Sequence, residues 1–88
     1  MTRVIVPPAV IELDGALVHI LEVTEREWID KTKHYLVTCY VEIGNYRSQV
    51  FTLDVTSNEE LKEKLRVEIA KMKFMLLSGK TNIFFRHT

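Results

Sequence analysis

The chain has 88 residues, of which 47% are apolar, and its 12 basic and 12 acidic residues cancel. This composition is typical of a folded protein, and residues 1–88 are predicted to form a single domain. The balance of charges excludes a global field that would draw the chain to nucleic acid or to an anionic membrane. No stretch approaches the ~20 apolar residues of a membrane-spanning helix.

Cys39 is the only cysteine, which excludes an intramolecular disulfide and favours a reducing compartment. The apolar run at residues 4–6 is too short for a signal peptide, so a soluble, cytoplasmic protein is expected. Gln49 is the only glutamine, and the chain has three asparagines. Depletion of these thermolabile amides is a tendency of thermophile proteins.

A first β-hairpin is predicted around Asp14-Gly15, which lies between two apolar runs. This dipeptide is a strong signal for a two-residue turn. The apolar residues that such a turn places opposite one another are Leu13 and Ala16, Ile11 and Val18, and Ala9 and Ile20. One face of the hairpin is then wholly apolar.

A second hairpin is predicted around Gly44-Asn45. Side chains alternate along a strand, so a two-residue loop would place the apolar sets of the two strands on opposite faces. A loop with an odd number of residues brings Val37 and Cys39 onto the same face as Phe51 and Leu53. We therefore predict an odd, bulged loop.

Residues 24–33 are mostly charged, with Trp28 and Ile29 as the apolar exceptions, and they allow two interpretations. The first is a short helix capped by Thr24. The second is the tip of a long hairpin that turns near Asp30. The hairpin is favoured because the alternation of the preceding strand can continue towards Trp28.

One long amphipathic helix is the clearest predicted element. Thr56 or Ser57 can cap its start, Ser57 and Glu60 have capping-box spacing, and Gly79 suits its end. The predicted helix has about 21 residues and is roughly 30 Å long. Residues 83–85 follow as a short strand or an apolar tail. The apolar stripe of the helix consists of Leu61, Leu65, Ile69, Met72 and Leu76.

The predicted fold class is therefore α+β. It consists of an antiparallel β-meander of about four strands, followed by one long C-terminal amphipathic helix packed on the sheet, and then a short final strand or tail. The order of the strands beyond the two hairpins is left open. This order of elements differs from the interleaved order of an RNA-recognition fold, and the aromatic motif of that fold is lacking.

No catalytic residue, cofactor site or metal site is predicted, and the protein is not expected to be an enzyme. His19, His34 and His87 lack the local spacing of a zinc motif. Cys39 falls on the predicted core face, where a small buried hydrophobe is the simplest interpretation. All three glycines are accounted for by turns or a helix cap, which leaves none for a phosphate-binding loop.

The most informative functional feature is a surplus of apolar surface. The end of the helix is apolar nearly all round, and both faces of the sheet carry apolar residues. A small monomer rarely leaves this much apolar surface in water, so a homodimer is predicted, with a different protein partner as an alternative. In the competing interpretation, the N-terminal segment and the Trp28 loop cover this surface. The predicted interface consists of Met72, Phe74, Met75, Leu77, Phe84 and Phe85.

Two other hypotheses are weaker. The first is a nucleic-acid-binding protein that uses the solvent face of the sheet, where aromatic and basic residues lie together. The residues of that face are Thr38, Tyr40, Arg47 and Thr52. The second is an enzyme whose site requires that three scattered residues converge within hydrogen-bond reach, namely His34, Glu42 and Asp54.

Overall fold

The computed structural model describes the backbone of residues 2–6, 8–79 and 85–87, and the side chains of residues 8–79. These residues form one antiparallel sheet and one long helix, so the predicted α+β class is confirmed. The elements in chain order are β1 (Thr2–Val6), β2 (Ala9–Leu13), β3 (Ala16–Glu27), β4 (Lys33–Ile43), β5 (Tyr46–Ser48), β6 (Phe51–Val55), α1 (Asn58–Ser78) and β7 (Phe85–His87).

The sheet is a meander in which two of the strands are broken into pieces. β1 and β2 pair with successive parts of β3, which pairs with β4, and β5 and β6 pair with successive parts of β4. β7 adds to the outer side of β5. Because β3 and β4 have 12 and 11 residues, the molecule is elongated, with dimensions of 44 × 21 × 21 Å.

The hairpin of β2 and β3 is the one that the sequence predicts. Leu13 pairs with Ala16, and the register continues without a shift to Ala9 and Ile20. Asp14 and Gly15 both adopt positive φ, at 53° and 79°. Positive φ at both central positions defines a type I′ turn, whose twist matches that of the flanking strands.

The loop of the second hairpin differs from the prediction. Ile43 pairs with Tyr46, so the loop has two residues, and Gly44 has a positive φ of 59°. The extra residue lies instead between Ser48 and Phe51, in a bulge that separates β5 from β6. Here the backbone N–H of Val41 donates to the Ser48 hydroxyl at 2.9 Å, so the ladder retains a hydrogen bond where its register shifts.

The face assignment behind that prediction is nevertheless confirmed. Downstream of the bulge, Val37 pairs with Leu53 and Cys39 pairs with Phe51. The apolar pattern thus predicted correctly that an odd number of residues is inserted between the two strands. The predicted position of the extra residue, in the loop, was wrong. Side chains alternate between the two faces of a strand, so an extra residue anywhere between the two apolar sets has the same effect on which face they occupy.

Residues 24–33 form a hairpin tip, as favoured, rather than a short helix. β3 ends at Glu27, β4 begins at Lys33, and Asp30 accepts hydrogen bonds from the backbone N–H (3.1 Å) and hydroxyl (2.7 Å) of Thr32. The alternation of β3 does not run unbroken to the tip. A second bulge at Leu21 shifts the register between Ile20 and Glu22.

Helix α1 begins and ends at the predicted caps. The Ser57 hydroxyl accepts from the Glu60 N–H at 3.1 Å, while the Glu60 carboxylate reaches back to Thr56 rather than to Ser57. Gly79 follows the helix with φ of 77°, the left-handed conformation that suits a C-terminal cap. Both ends therefore satisfy backbone groups that a helix cannot pair internally.

The core lies between α1 and one face of the sheet. Leu65, Ile69 and Met72 of the helix are each at most 1% exposed, which confirms the predicted stripe. Asp14 fixes the helix laterally, since Arg66 Nε lies 3.5 Å from its carboxylate and Lys73 Nζ donates to its carbonyl oxygen at 2.7 Å. The buried residues contributed by the sheet are Ala16, Val18, Ile20, Val23, Val37, Cys39, Val41 and Val55.

Cys39 is a core residue, as predicted. Its side chain lies in the apolar cluster beneath the helix, and burial raises the pKa of its thiol to about 12. The thiolate is the nucleophilic form of cysteine, so a thiol that stays protonated is unreactive. Cys39 therefore contributes packing rather than chemistry.

The first testable prediction concerns Glu60. Hydrogen bonds from the backbone N–H and the hydroxyl of Thr56 hold the pKa of Glu60 below its ordinary value of 4.5. Because the folded state lowers this pKa, the stabilisation is fully present above pH 4.5 and is lost as the pH falls through the folded-state value. Glu60→Gln should therefore lower the free energy of unfolding at neutral pH, and its deficit should shrink in acid.

Urea denaturation at a series of pH values measures this effect. Glu59→Gln is the matched control, because Glu59 lies in the same first turn and makes no such contact among the described residues. A deficit of Glu60→Gln that does not depend on pH would contradict the account.

Candidate functional site

The face of the sheet turned away from α1 carries polar and aromatic side chains. We call it the open face. Its members are brought into register by cross-strand pairs, in which His19 lies opposite Tyr40, Glu42 opposite Arg47, and Thr38 opposite Thr52. The open face includes His19, His34, Thr38, Tyr40, Glu42, Arg47, Thr52 and Asp54.

A compact cluster surrounds Tyr40 at one end of the open face. The His19 ring stacks on Tyr40 with centroids 4.4 Å apart and planes within 4°, and its Nε2 donates to Glu42 Oε1 at 2.7 Å. The guanidinium carbon of Arg47 lies 5.5 Å from the centroid of the same tyrosine ring. β3 and β5 flank β4 on opposite sides, so His19 and Arg47 approach Tyr40 from different strands.

A second cluster lies at the other end of the open face, beside the hairpin tip. His34 Nδ1 donates to Asp54 Oδ1 at 2.7 Å, and the His34 ring lies 4.9 Å from the ring of Trp28, tilted by 57°. These three residues line a shallow depression of about 480 Å³ together with Ile29 and Asp30. Each of the two clusters thus contains one histidine paired with one carboxylate.

The four residues of the predicted nucleic-acid face do lie together. Tyr40 and Arg47 belong to the first cluster, and the hydroxyls of Thr38 and Thr52 are 3.2 Å apart. Sequence-tolerant binding of single strands depends on bases that stack on open aromatic faces. His19 stacks on one side of the Tyr40 ring and Arg47 lies near the ring, so only part of Tyr40 is available to stack on a base.

The hypothetical catalytic group is not assembled. His34 and Asp54 are in contact, but Glu42 is bonded to His19 instead. His34 and Glu42 are eight positions apart in β4, which is a distance of about 26 Å along an extended strand. The requirement that the three residues converge is therefore not met. The His19–Glu42 pair was not predicted, because its register depends on the bulge at Leu21.

The described residues also lack a metal-binding cluster of ionisable side chains and a helix that could cross a membrane. Within residues 8–79, His, Cys, Asp and Glu side chains do not come together in threes that could hold a metal ion. In the part of the chain that the structure describes, no helix is long and apolar enough to cross a membrane.

A second candidate surface lies on the outward side of α1. Val67, Ala70, Phe74 and Leu77 recur at spacings of three, four and three, which places them along one side of a helix. We call this set the outer stripe. Phe74 is 66% exposed and Leu77 is 89% exposed, so neither is buried against the described residues.

The predicted interface residues separate into different environments. Phe74 and Leu77 belong to the outer stripe, Met75 is half-buried, and Met72 is only 1% exposed and packs in the core. Met72 therefore cannot form part of a surface contact in this fold. Phe84 lies outside the described residues, and Phe85 lies in β7, where only the backbone is described.

The chain matches no family model, no curated protein and no solved structure. Its function is therefore inferred from the chemistry of the open face and of the outer stripe. The open face carries internally paired polar groups beside the exposed Leu17, whereas the outer stripe is wholly apolar and has no partner among the described residues.

Proposed function

We propose that the protein is a non-enzymatic assembly module that forms a homodimer through the outer stripe. The observation that carries this proposal is the exposure of Phe74 and Leu77, at 66% and 89%, on the side of α1 opposite its core stripe. Full burial of a side chain of this size is worth about 1.5–3 kcal/mol. In a symmetric dimer every such contact occurs twice, because the same patch faces itself.

An antiparallel arrangement of the two helices fits the stripe best. Glu63 continues the line of the stripe one turn before Val67, so parallel helices would bring Glu63 against the same residue of the partner. Antiparallel helices can instead place Val67 against the partner's Leu77, and the small Ala70 against the partner's Phe74. The two-fold axis then lies beside residue 72, which is midway between residues 67 and 77.

The basic residues that flank the stripe are largely neutralised within their own chain. Arg66 and Lys73 are held by Asp14, and Lys71 lies 3.3 Å from Glu68. Across the proposed axis, however, Lys71 would face the partner's Lys71. Exposed like charges repel weakly and are screened by salt, so moderate salt should strengthen the dimer rather than weaken it.

The second prediction is the effect of the stripe on solution mass. The wild-type chain should shift from monomer to dimer as its concentration rises, whereas Phe74→Ser combined with Leu77→Ser should remain monomeric, because the apolar contact is lost. Light scattering across a concentration series measures this. Ile29→Ser is the matched control, since Ile29 is a fully exposed apolar residue far from the stripe.

A wild-type chain that stays monomeric throughout the series would overturn the proposal. So would a control variant that disrupts the dimer as strongly as the double variant. Circular dichroism of each variant distinguishes a lost contact from a lost fold.

The third prediction concerns the orientation of the helices. Lys71→Cys should form a disulfide-linked dimer under mild oxidation, because residue 71 lies next to the proposed axis. Glu63→Cys should not, because an antiparallel pair holds the two copies of residue 63 far apart. Cys39 is buried and does not interfere. Cross-linking through Glu63→Cys but not through Lys71→Cys would indicate parallel helices instead.

Nucleic-acid binding by the open face is the second candidate. The observation in its favour is that Thr38, Tyr40, Arg47 and Thr52 lie on one face. Because His19 covers one side of the Tyr40 ring and Arg47 lies 5.5 Å from its centroid, the fourth prediction is that a labelled single strand shows no binding at low salt in fluorescence anisotropy. Binding that weakens steeply with salt, and that Arg47→Gln abolishes, would favour this candidate over the first.

A further inference from the structure

We infer that the depression at the tip of the β3–β4 hairpin is a binding site for an organic cation, such as an alkylated ammonium or a guanidinium group. The walls of the depression are Trp28, Ile29, Asp30, His34 and Asp54, and its volume is about 480 Å³. This site lies away from the outer stripe, so the inference does not depend on dimerisation. Three features of the walls indicate that the ligand is a cation.

The first feature is a tryptophan held in place at the surface. The Trp28 backbone is fixed by the turn, since its N–H donates to the Thr32 carbonyl at 2.9 Å and its carbonyl accepts from the Lys31 N–H at 2.8 Å. The indole rests against His34 yet remains 45% exposed. Tryptophan has the aromatic face that attracts cations most strongly.

The second feature is a pair of carboxylates that line the same depression. His34 orients Asp54 through one carboxylate oxygen, and the Asp54 side chain still keeps 43% of its surface exposed. Asp30 is held by the hydroxyl and the N–H of Thr32, and these hydrogen bonds lower the pKa of Asp30. Asp30 is therefore ionised at neutral pH, and hydrogen bonds hold both carboxyl groups in position.

The third feature is the apolar rim formed by Ile29, whose side chain is fully exposed. Contact with Ile29 and Trp28 stabilises the alkyl groups of a bound cation, because it removes them from water. A small, strongly hydrated metal ion has no alkyl groups and gains no such stabilisation. Two separate carboxylates also fall short of the six to eight oxygen ligands that calcium prefers. The combination of aromatic, acidic and apolar walls thus favours an organic cation over an inorganic one.

Nearby basic residues limit the affinity without filling the site. Lys33 is engaged on the other face of the sheet, 3.5 Å from Glu25. Arg26 lies opposite His34 in the register of β3 and β4, on the open face. Its charge opposes the ligand, as does that of Lys64, whose Nζ donates to the Asp54 carbonyl oxygen at 2.8 Å. We therefore expect binding in the millimolar range, the sum of about one cation–π contact and one contact with a carboxylate, which is a charge-assisted hydrogen bond for a guanidinium and an ion pair for a quaternary ammonium.

The experiment uses the fluorescence of Trp28, which is the only tryptophan in the chain. Tetramethylammonium chloride and methylguanidinium chloride should change its emission saturably, with half the effect at millimolar concentration. Sodium chloride at equal ionic strength and the neutral tert-butanol are the controls. They should produce no saturable change, because each lacks either the alkyl surface or the charge.

Asp54→Asn should weaken binding about tenfold, because the amide can still accept from His34 but no longer carries the charge. Glu42→Gln is the matched control, since it removes the carboxylate of the other histidine pair at the far end of the open face, and it should leave binding unchanged. A Gly-Arg-Gly peptide that binds more tightly than methylguanidinium would assign the site to a protein side chain. Equal or weaker binding of the peptide would assign it to a small cation.

Two results would overturn the inference. One is a sodium chloride titration that reproduces the change seen with the organic cations. The other is unchanged binding in a folded Asp54→Asn variant. Repeating the titration with the Phe74→Ser, Leu77→Ser variant separates this question from dimerisation, because the tip and the outer stripe share no residue.

Discussion

The packing of one side of α1 on one face of the sheet is the interaction on which the rest of the structure depends. Leu65, Ile69 and Met72 are almost fully buried in that contact, and Val18 and Val41 are among the sheet residues beneath them. The described residues form this one core, and each fully buried side chain contributes about 1.5–3 kcal/mol. One helix covers one face of a sheet, so the arrangement leaves two surfaces outside the core.

The open face and the outer stripe differ in whether their exposed side chains have partners within the chain. The polar groups of the open face are paired with one another, since His19 is bonded to Glu42, His34 is bonded to Asp54, and the Tyr40 ring stacks on His19. The outer stripe cannot be stabilised by pairing of this kind, because apolar side chains are stabilised by burial away from water. This difference is why the assembly function is proposed for the helix and ligand binding for one end of the sheet.

Local chemistry made much of the fold predictable from the sequence. Asp14-Gly15 specifies a type I′ turn within two residues, and Ser57 and Gly79 specify the ends of α1 by the hydrogen bonds and backbone angles that they favour. The core stripe follows from helical periodicity alone. Each of these signals acts within a few residues and does not depend on distant parts of the chain.

The features that were missed depend on distant parts of the chain. The bulge before Phe51 is positioned by the Ser48 hydroxyl and the N–H of Val41, a contact between strands that composition does not report. The bulge at Leu21 likewise sets which residue faces Tyr40, and so the His19–Glu42 pair of the open face was not predicted. Met72 was assigned to a surface because the whole helix end is apolar, although its position places it on the core stripe.

The central claim is that the outer stripe leaves water when two copies of the chain meet. The most direct measurement is the relaxation of methyl groups by a soluble paramagnetic agent, recorded at low and high protein concentration. The account predicts that the methyls of Val67 and Leu77 become protected from the agent at high concentration, while the Ile29 methyls stay accessible. Equal accessibility of all three residues at both concentrations would contradict the account.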